Sequence, residues 1–144
     1  MTAARPAVVR GRRYSADMAS RTANFCIDAV DPRAQARWWA QVLDDFAIVP
    51  EGTMEDDEAE LRGPGGRWLG FIRVPEPKSV KNRMHMCLRP AGTTRDAEVA
   101  RILALGASMV DDRRETDGWA VLGDPEGNEF CVLATSAEDA GIGA

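Results

Sequence analysis

Residues 23–29 alternate strictly, with Phe25, Ile27 and Ala29 on one side and Asn24, Cys26 and Asp28 on the other. A period of two marks a half-buried strand. Asp31-Pro32 then opens a helix, because an Asp side chain can accept bonds from the first orphan N–H groups and Pro suits the first helical position. Ala36, Trp39, Ala40 and Leu43 recur at i, i+3, i+4 and i+7, which predicts the buried stripe of that helix. Residues 46–49 read as a second strand stopped by Pro50, and Glu58–Arg62 as a third. Gly63-Pro64-Gly65-Gly66 is a turn into a fourth strand at 67–74.

The same order returns in the second half. Residues 83–89 predict a strand with Met84, Met86 and Leu88 on one face and His85, Cys87 and Arg89 on the other. Thr93, with Asp96 three residues on, resembles a capping box, Asp being a weaker match there than Glu or Gln. Val99, Ile102, Leu103 and Gly106 carry a helical period to its end, with Gly106 as the C-terminal cap. Three more strands follow at 107–110, 118–122 and 128–134. The offset between the halves is constant, since 85 − 24, 87 − 26 and 89 − 28 all give 61.

This pattern predicts an α+β fold of two βαβββ modules in tandem, forming a curved mixed sheet around a shared cleft. A single domain spans 21–135, with module one at 21–75, a linker at 75–82 and module two at 82–135. Residues 1–20 are expected to be a disordered leader, with Met18 an alternative start, and 136–144 a frayed tail. By strand parity the cleft face carries Asn24, Cys26, Asp28, Trp68, Gly70, Ile72, His85, Cys87, Arg89, Glu129, Cys131 and Leu133.

Composition narrows the partners. The 144 residues suit one domain, and an apolar fraction of 44% is that of a globular chain. The net charge is −5. Residues 1–20 hold four Arg and one Asp, a net of +3, so the rest carries −5 − 3 = −8. An acidic body repels phosphates, so no nucleic acid is expected. No apolar run approaches the ~18 residues that a membrane span needs. Ala7-Val8-Val9 is cut off by Arg10, too short for the apolar region of a secretory signal. Cys26, Cys87 and Cys131 are an odd number at wide spacing, which predicts free thiols in a reducing, cytoplasmic setting.

Several segments together resemble the vicinal oxygen chelate superfamily, in its glyoxalase-like branch with the glyoxalase/bleomycin resistance/dioxygenase-type fold. They are the opening Cys26-Ile27-Asp28-Ala29-Val30-Asp31-Pro32, then Trp38-Trp39 and Leu43. The linker runs Val74-Pro75-Glu76-Pro77-Lys78-Ser79-Val80-Lys81-Asn82-Arg83 and leads to His85. Leu105-Gly106-Ala107 and the closing Asp124-Pro125-Glu126-Gly127-Asn128-Glu129-Phe130 complete the set. The resemblance implies paired βαβββ modules, a homodimer, and a cleft for a small-molecule ligand. In metal-dependent members it implies one ligand from the first and one from the last strand of each module. Carried over, those positions are Asn24, Gly70, His85 and Cys131, of which only His85 keeps the expected type.

A catalytic metal site normally has three protein ligands and a water. His85 and Cys131 supply two, so no metal and no other cofactor is expected at the family position. Cys87 or Cys26, on the same strand face, would complete a Cys/His set for Zn²⁺; small, weakly polar cysteines lining an apolar pocket are the simpler reading. His85 and Glu129 are the candidates for catalysis, His85 as base or hydrogen-bond donor and Glu129 as its orienting carboxylate or a base itself. A cleft histidine kept for packing, and a glutamate facing solvent at a strand's start, are the plainer alternatives. Asp28 and Arg89 are equivalent positions of opposite charge. An ion pair across the pseudo-twofold is the simpler reading, and an Arg89 awaiting a substrate carboxylate the sharper one.

Trp68 faces the cleft and offers a flat stacking surface, with Ile72, Cys87, Arg89, Cys131 and Leu133 as further ligand-binding positions. Trp39 belongs to the core stripe; parity places neither Trp38 nor Trp119. These residues predict a small-molecule-binding domain with a degenerate metal site. The alternative is a metal-dependent lyase, isomerase or dioxygenase acting on a small oxygenated metabolite. A structural dimer with an empty cleft is a third possibility, since this fold alone selects none of them.

Overall fold

The computed structural model describes residues 20–50, 52 and 55–143. The leader expected at 1–20 therefore lies almost wholly outside the described residues. The chain runs β1 (Phe25–Ala29), α1 (Pro32–Val42), β2 (Ala47–Ile48), β3 (Glu58–Arg62), a short 3₁₀ turn (Pro64–Gly66) and β4 (Trp68–Arg73). It repeats as β5 (Cys87–Leu88), α2 (Arg95–Ala104), β6 (Ser108–Arg113), β7 (Trp119–Gly123) and β8 (Glu129–Val132). The strands form two four-stranded sheets, ordered β1-β4-β3-β2 and β5-β8-β7-β6. In each, the first strand pairs parallel to the last and the others pair antiparallel. The expected α+β fold of two tandem modules is present as two mixed sheets of identical topology, which no ladder joins among the described residues.

Local chemistry accounts for the helices. Asp31 caps α1, its Oδ1 accepting from Ala34 N at 3.0 Å, and Pro32 takes the first turn, where a missing N–H costs nothing. For α2 the cap is Thr94 and not Thr93, its hydroxyl accepting from Ala97 N at 3.2 Å. Asp96 closes no capping box; its carboxylate pairs with Arg95 and Arg114. The α2 end is a Schellman turn: Gly106 N donates to Leu103 O and Ala107 N to Ile102 O. That turn needs a left-handed residue, and Gly106 supplies it with φ +110°.

Helix α1 buries more than its expected stripe. Gln35, Ala36, Trp38, Trp39 and Val42 are all buried, because the helix lies against its own sheet and against module two at once. Trp38 Nε1 donates to Leu105 O at 2.9 Å, and Trp38, Trp39 and Phe130 meet edge to face with centroids 5.0–6.0 Å apart. One continuous core results, running from Leu61, Leu69 and Phe71 through Trp39 to Val99, Ile102, Leu122, Phe130 and Val132.

Two expectations are corrected at the edges. Residues 83–86 are not strand: β5 pairs with β8 only at Cys87 and Leu88, and Met84 is exposed. The segment expected to fray after 135 is tied down through Ser136–Ile142, with Ala137 N donating to Pro90 O and Gly92 N to the Glu138 carboxylate.

Candidate functional site

The face of each sheet that turns away from the core carries the candidate site residues. In module two, Phe130 and Val132 point into the core, so Glu129 and Cys131 point the other way. Cys87 and Cys131 are register partners on adjacent parallel strands, and Cys131 N donates to Met86 O at 2.9 Å. His85 lies two residues before Cys87. The three ligand atoms, one from each of His85, Cys87 and Cys131, all lie within 4.8 Å of one another. His85 and Cys87 are exposed and Cys131 is buried. Burial pushes the Cys131 thiol above its ordinary pKa, and the neighbouring Cys87 adds to this, while the positive charge of Lys81 opposes it.

In module one the equivalent row is Cys26, Gly70 and Glu60, aligned across β1, β4 and β3. Gly70 is crowded: a Cβ there would stand 3.0 Å from Cys26 Sγ and 3.0 Å from the Trp68 ring. The indole therefore lies over the glycine. Arg62, the register partner of Trp68, holds its guanidinium 5.3 Å from the indole centroid and pairs with the buried Glu60 carboxylate. Beside this group a concavity of about 200 Å³ is lined by Glu58, Glu60, Trp68, Gly70 and Ile72. A second hollow, by Arg33 and Ile48, has a volume of only about 20 Å³.

The remaining expected residues are placed as follows. Glu129 is half-buried with both oxygens engaged, Oε1 by Lys78 Nζ at 2.9 Å and Oε2 by Asn82 N at 3.0 Å. Burial raises its pKa, but the Asn82 N–H and Lys78 outweigh that and hold the carboxyl below its ordinary value. Arg89 donates to Thr135 O at 3.0 Å, and among the described residues no ion pair joins it to Asp28. The guanidinium turns to the chain that follows β8, which removes the expected pair across the pseudo-twofold. Leu133 N donates to Leu88 O at 2.9 Å, the bond that closes the parallel pairing of Leu88 with Val132.

The chain pattern carried signals for residues that strand parity had not assigned. Ala59 and Leu61 are core, so alternation puts Glu58, Glu60 and Arg62 of β3 on the open face. By the same rule Trp119 and Val121 of β7 share the face of Cys131, their neighbours Ala120 and Leu122 being buried.

The glyoxalase-like domain family matches this chain over residues 24–133. The chain belongs to that family. No curated protein matches it. Solved structures of this fold include a glyoxalase/bleomycin resistance/dioxygenase family enzyme from Burkholderia phytofirmans PsJN. It is 23% identical with a TM-score of 0.58, over 78% of this chain and 97% of that one. The fosfomycin resistance protein FosX from Mesorhizobium loti is 16% identical with a TM-score of 0.61, over 85% and 98%. A FosX variant from Listeria monocytogenes, complexed with Mn(II) and a dihydroxypropylphosphonic acid, is 17% identical with a TM-score of 0.60, over 85% and 95%. At these identities the likeness shows the fold alone. Among the described residues no helix is long and apolar enough to cross a membrane.

The family resemblance implies Asn24, Gly70, His85 and Cys131 as metal positions, and the residues at these four positions do not fit a hard divalent ion. Hard ions take oxygen donors. Gly70 offers no donor, and the space its side chain would occupy is filled by Trp68 and Cys26. The amide of Asn24 is turned to sulfur, its Nδ2 donating to Cys26 Sγ at 3.1 Å. Cys131 is a buried thiol.

Proposed function

We propose that this glyoxalase-like protein binds a small organic molecule in the module-one concavity, without a hard divalent ion at the family's metal position. The observation that supports this most is the absence of a side chain at Gly70, with the Trp68 ring laid over it. A glycine there offers no metal ligand and leaves an apolar wall beside an open volume of about 200 Å³. Trp68 and Ile72 supply shape. Glu58 and Glu60 favour a ligand that presents hydrogen-bond donors to them. His85, Cys87, Arg89, Cys131 and Leu133 of module two are outside the lining of this concavity and are proposed as contacts only for a ligand long enough to reach beyond it. His85 and Glu129 are the first residues to replace if turnover is found.

The test is a thermal-shift panel of aromatic and oxygenated metabolites, followed by calorimetry of any hit on the native chain and on Trp68→Ala. Losing the indole should weaken binding by roughly 0.5–1.5 kcal/mol beyond its buried area while the fold survives. An unfolded Trp68→Ala variant, or one that binds a proven ligand as tightly as the native chain, would overturn the assignment of this face. A hit that is chemically converted would move the reading to an enzyme.

A further inference from the structure

We propose that His85, Cys87 and Cys131 form a site for a thiophilic metal ion, Zn²⁺ in the first instance, supplied by module two alone. This goes beyond ligand binding in the module-one concavity and does not depend on it. The sheet builds the site. Register-paired residues on adjacent strands project side by side from one face, as Cys87 and Cys131 do. His85 stands in the segment leading into β5, two residues before Cys87, and its ligand atom lies within 4.8 Å of both sulfurs.

The distances suit the ion. Bonds of about 2.3 Å to sulfur and about 2.0–2.1 Å to nitrogen set ligand atoms of a tetrahedral centre roughly 3.5–4 Å apart. The three atoms already lie within 4.8 Å of one another. His85 and Cys87 are exposed, so rotation of their side chains is free to close the remaining gap.

The donor set selects the ion. Two thiols and an imidazole, with no carboxylate among them, suit Zn²⁺ and other soft or borderline ions, and disfavour Mg²⁺, Ca²⁺ and Mn²⁺. Binding releases a proton from each thiol, and two thiolates then balance the charge of Zn²⁺. The neutral centre formed this way does not repel the ammonium of Lys81 nearby. Three protein ligands leave a fourth position for water or a substrate atom. The equivalent triangle in module one is Asn24, Cys26 and Gly70, with a single thiol. The site is therefore one-sided.

The test uses the reduced full chain and metal alone. Zn²⁺ is titrated in competition with a chromophoric chelator, and Co²⁺ is titrated as a spectroscopic stand-in. One ion should bind per chain, and the cobalt form should show thiolate charge-transfer absorption and the intense visible bands of a tetrahedral centre. Cys87→Ser and His85→Ala, both at exposed positions that should leave the fold intact, should each weaken binding by at least about tenfold, the lower end of what loss of even an outer-shell partner costs. Cys26→Ser and Trp68→Ala should bind Zn²⁺ like the native chain. The proposal is overturned if the chain fails to compete with the chelator, if the cobalt form lacks thiolate bands, or if the affinity loss follows Cys26→Ser and not Cys87→Ser. Retained zinc binding in Trp68→Ala separates this outcome from any failure of the organic-ligand reading.

Discussion

Trp39 Nε1 donates to Asp124 Oδ2 at 3.1 Å, across the boundary between the two modules. Asp124 is only 4% exposed, yet its carboxylate is fully used: Gln35 Nε2 and Trp39 Nε1 reach it from α1, and Glu126 N, Asn128 N and Asn128 Nδ2 from its own turn. One residue thus shapes the β7–β8 turn and docks the helix of module one on module two. Asp124→Ala should leave several buried donors without partners, at about 1–3 kcal/mol each where no water can enter. We expect a loss on the order of 3 kcal/mol or more by chemical denaturation, against less than about 0.5 kcal/mol for the exposed control Asp44→Ala. Comparable small losses from both would show that the turn does not hold the modules together.

Gly70 is the second position where a single atom decides. Gly70→Ala adds a Cβ at 3.0 Å from both Cys26 Sγ and the Trp68 ring. Overpacking of this kind costs about 1–3 kcal/mol. Cys26→Ala removes one of the two clashes, so the double variant should recover part of the loss, a coupling that a denaturation cycle measures directly. Strict additivity of the two changes would show that the sulfur and the glycine are not in contact.

The sequence made the module order legible because strand faces follow a period of two wherever one face is buried. Cys26 opposite Gly70 and Cys87 opposite Cys131, the second pair displaced from the first by one offset (87 − 26 and 131 − 70 both give 61), are what that alternation requires. Burial of Trp38 and Gln35 was not legible, since a single amphipathic stripe describes a helix with one neighbour and α1 has two. Arg83 to Met86 alternate like a strand, yet the β5–β8 ladder begins at Cys87, with Met86 O accepting from Cys131 N at its edge, and alternation alone does not supply a ladder. Thr93 and Thr94 are both competent caps, and only the backbone path into α2 chooses between them. Arg89 illustrates the limit for charges: its position matched Asp28, while its long side chain found the Thr135 carbonyl.

Glu129 ties the linker to β8, and its titration should be visible in stability. Its folded pKa lies below the ordinary value of 4.5. A carboxyl depressed by folding stabilises the native state fully above that ordinary value, and the contribution is lost as pH falls through the depressed folded value. Glu129→Gln should therefore cost about 1–3 kcal/mol at neutral pH, in line with hydrogen bonds to a charged group. Its stability should also decline less than that of the native chain as pH drops below about 4.5. Parallel stability profiles for the two chains across that range would place the acid sensitivity elsewhere.

Cys131 should be the last of the three thiols to react. Cys26 and Cys87 are exposed, whereas Cys131 is buried and its pKa is raised above the ordinary 9.0, first by burial and then by Cys87. Alkylation requires the thiolate, so both access and ionisation slow this position. In a metal-free, reduced sample treated with iodoacetamide, peptide mapping should find Cys26 and Cys87 modified while Cys131 remains free at pH 7.5. Its labelling should rise only at a pH above that at which an ordinary thiol ionises. Cys87→Ser removes the second cause and leaves the first, so the pH needed to label Cys131 should move down without reaching that of an exposed thiol. Labelling of Cys131 in step with Cys26 at neutral pH would mean that the β5–β8 edge opens readily, and the close approach of His85, Cys87 and Cys131 would then not persist in solution.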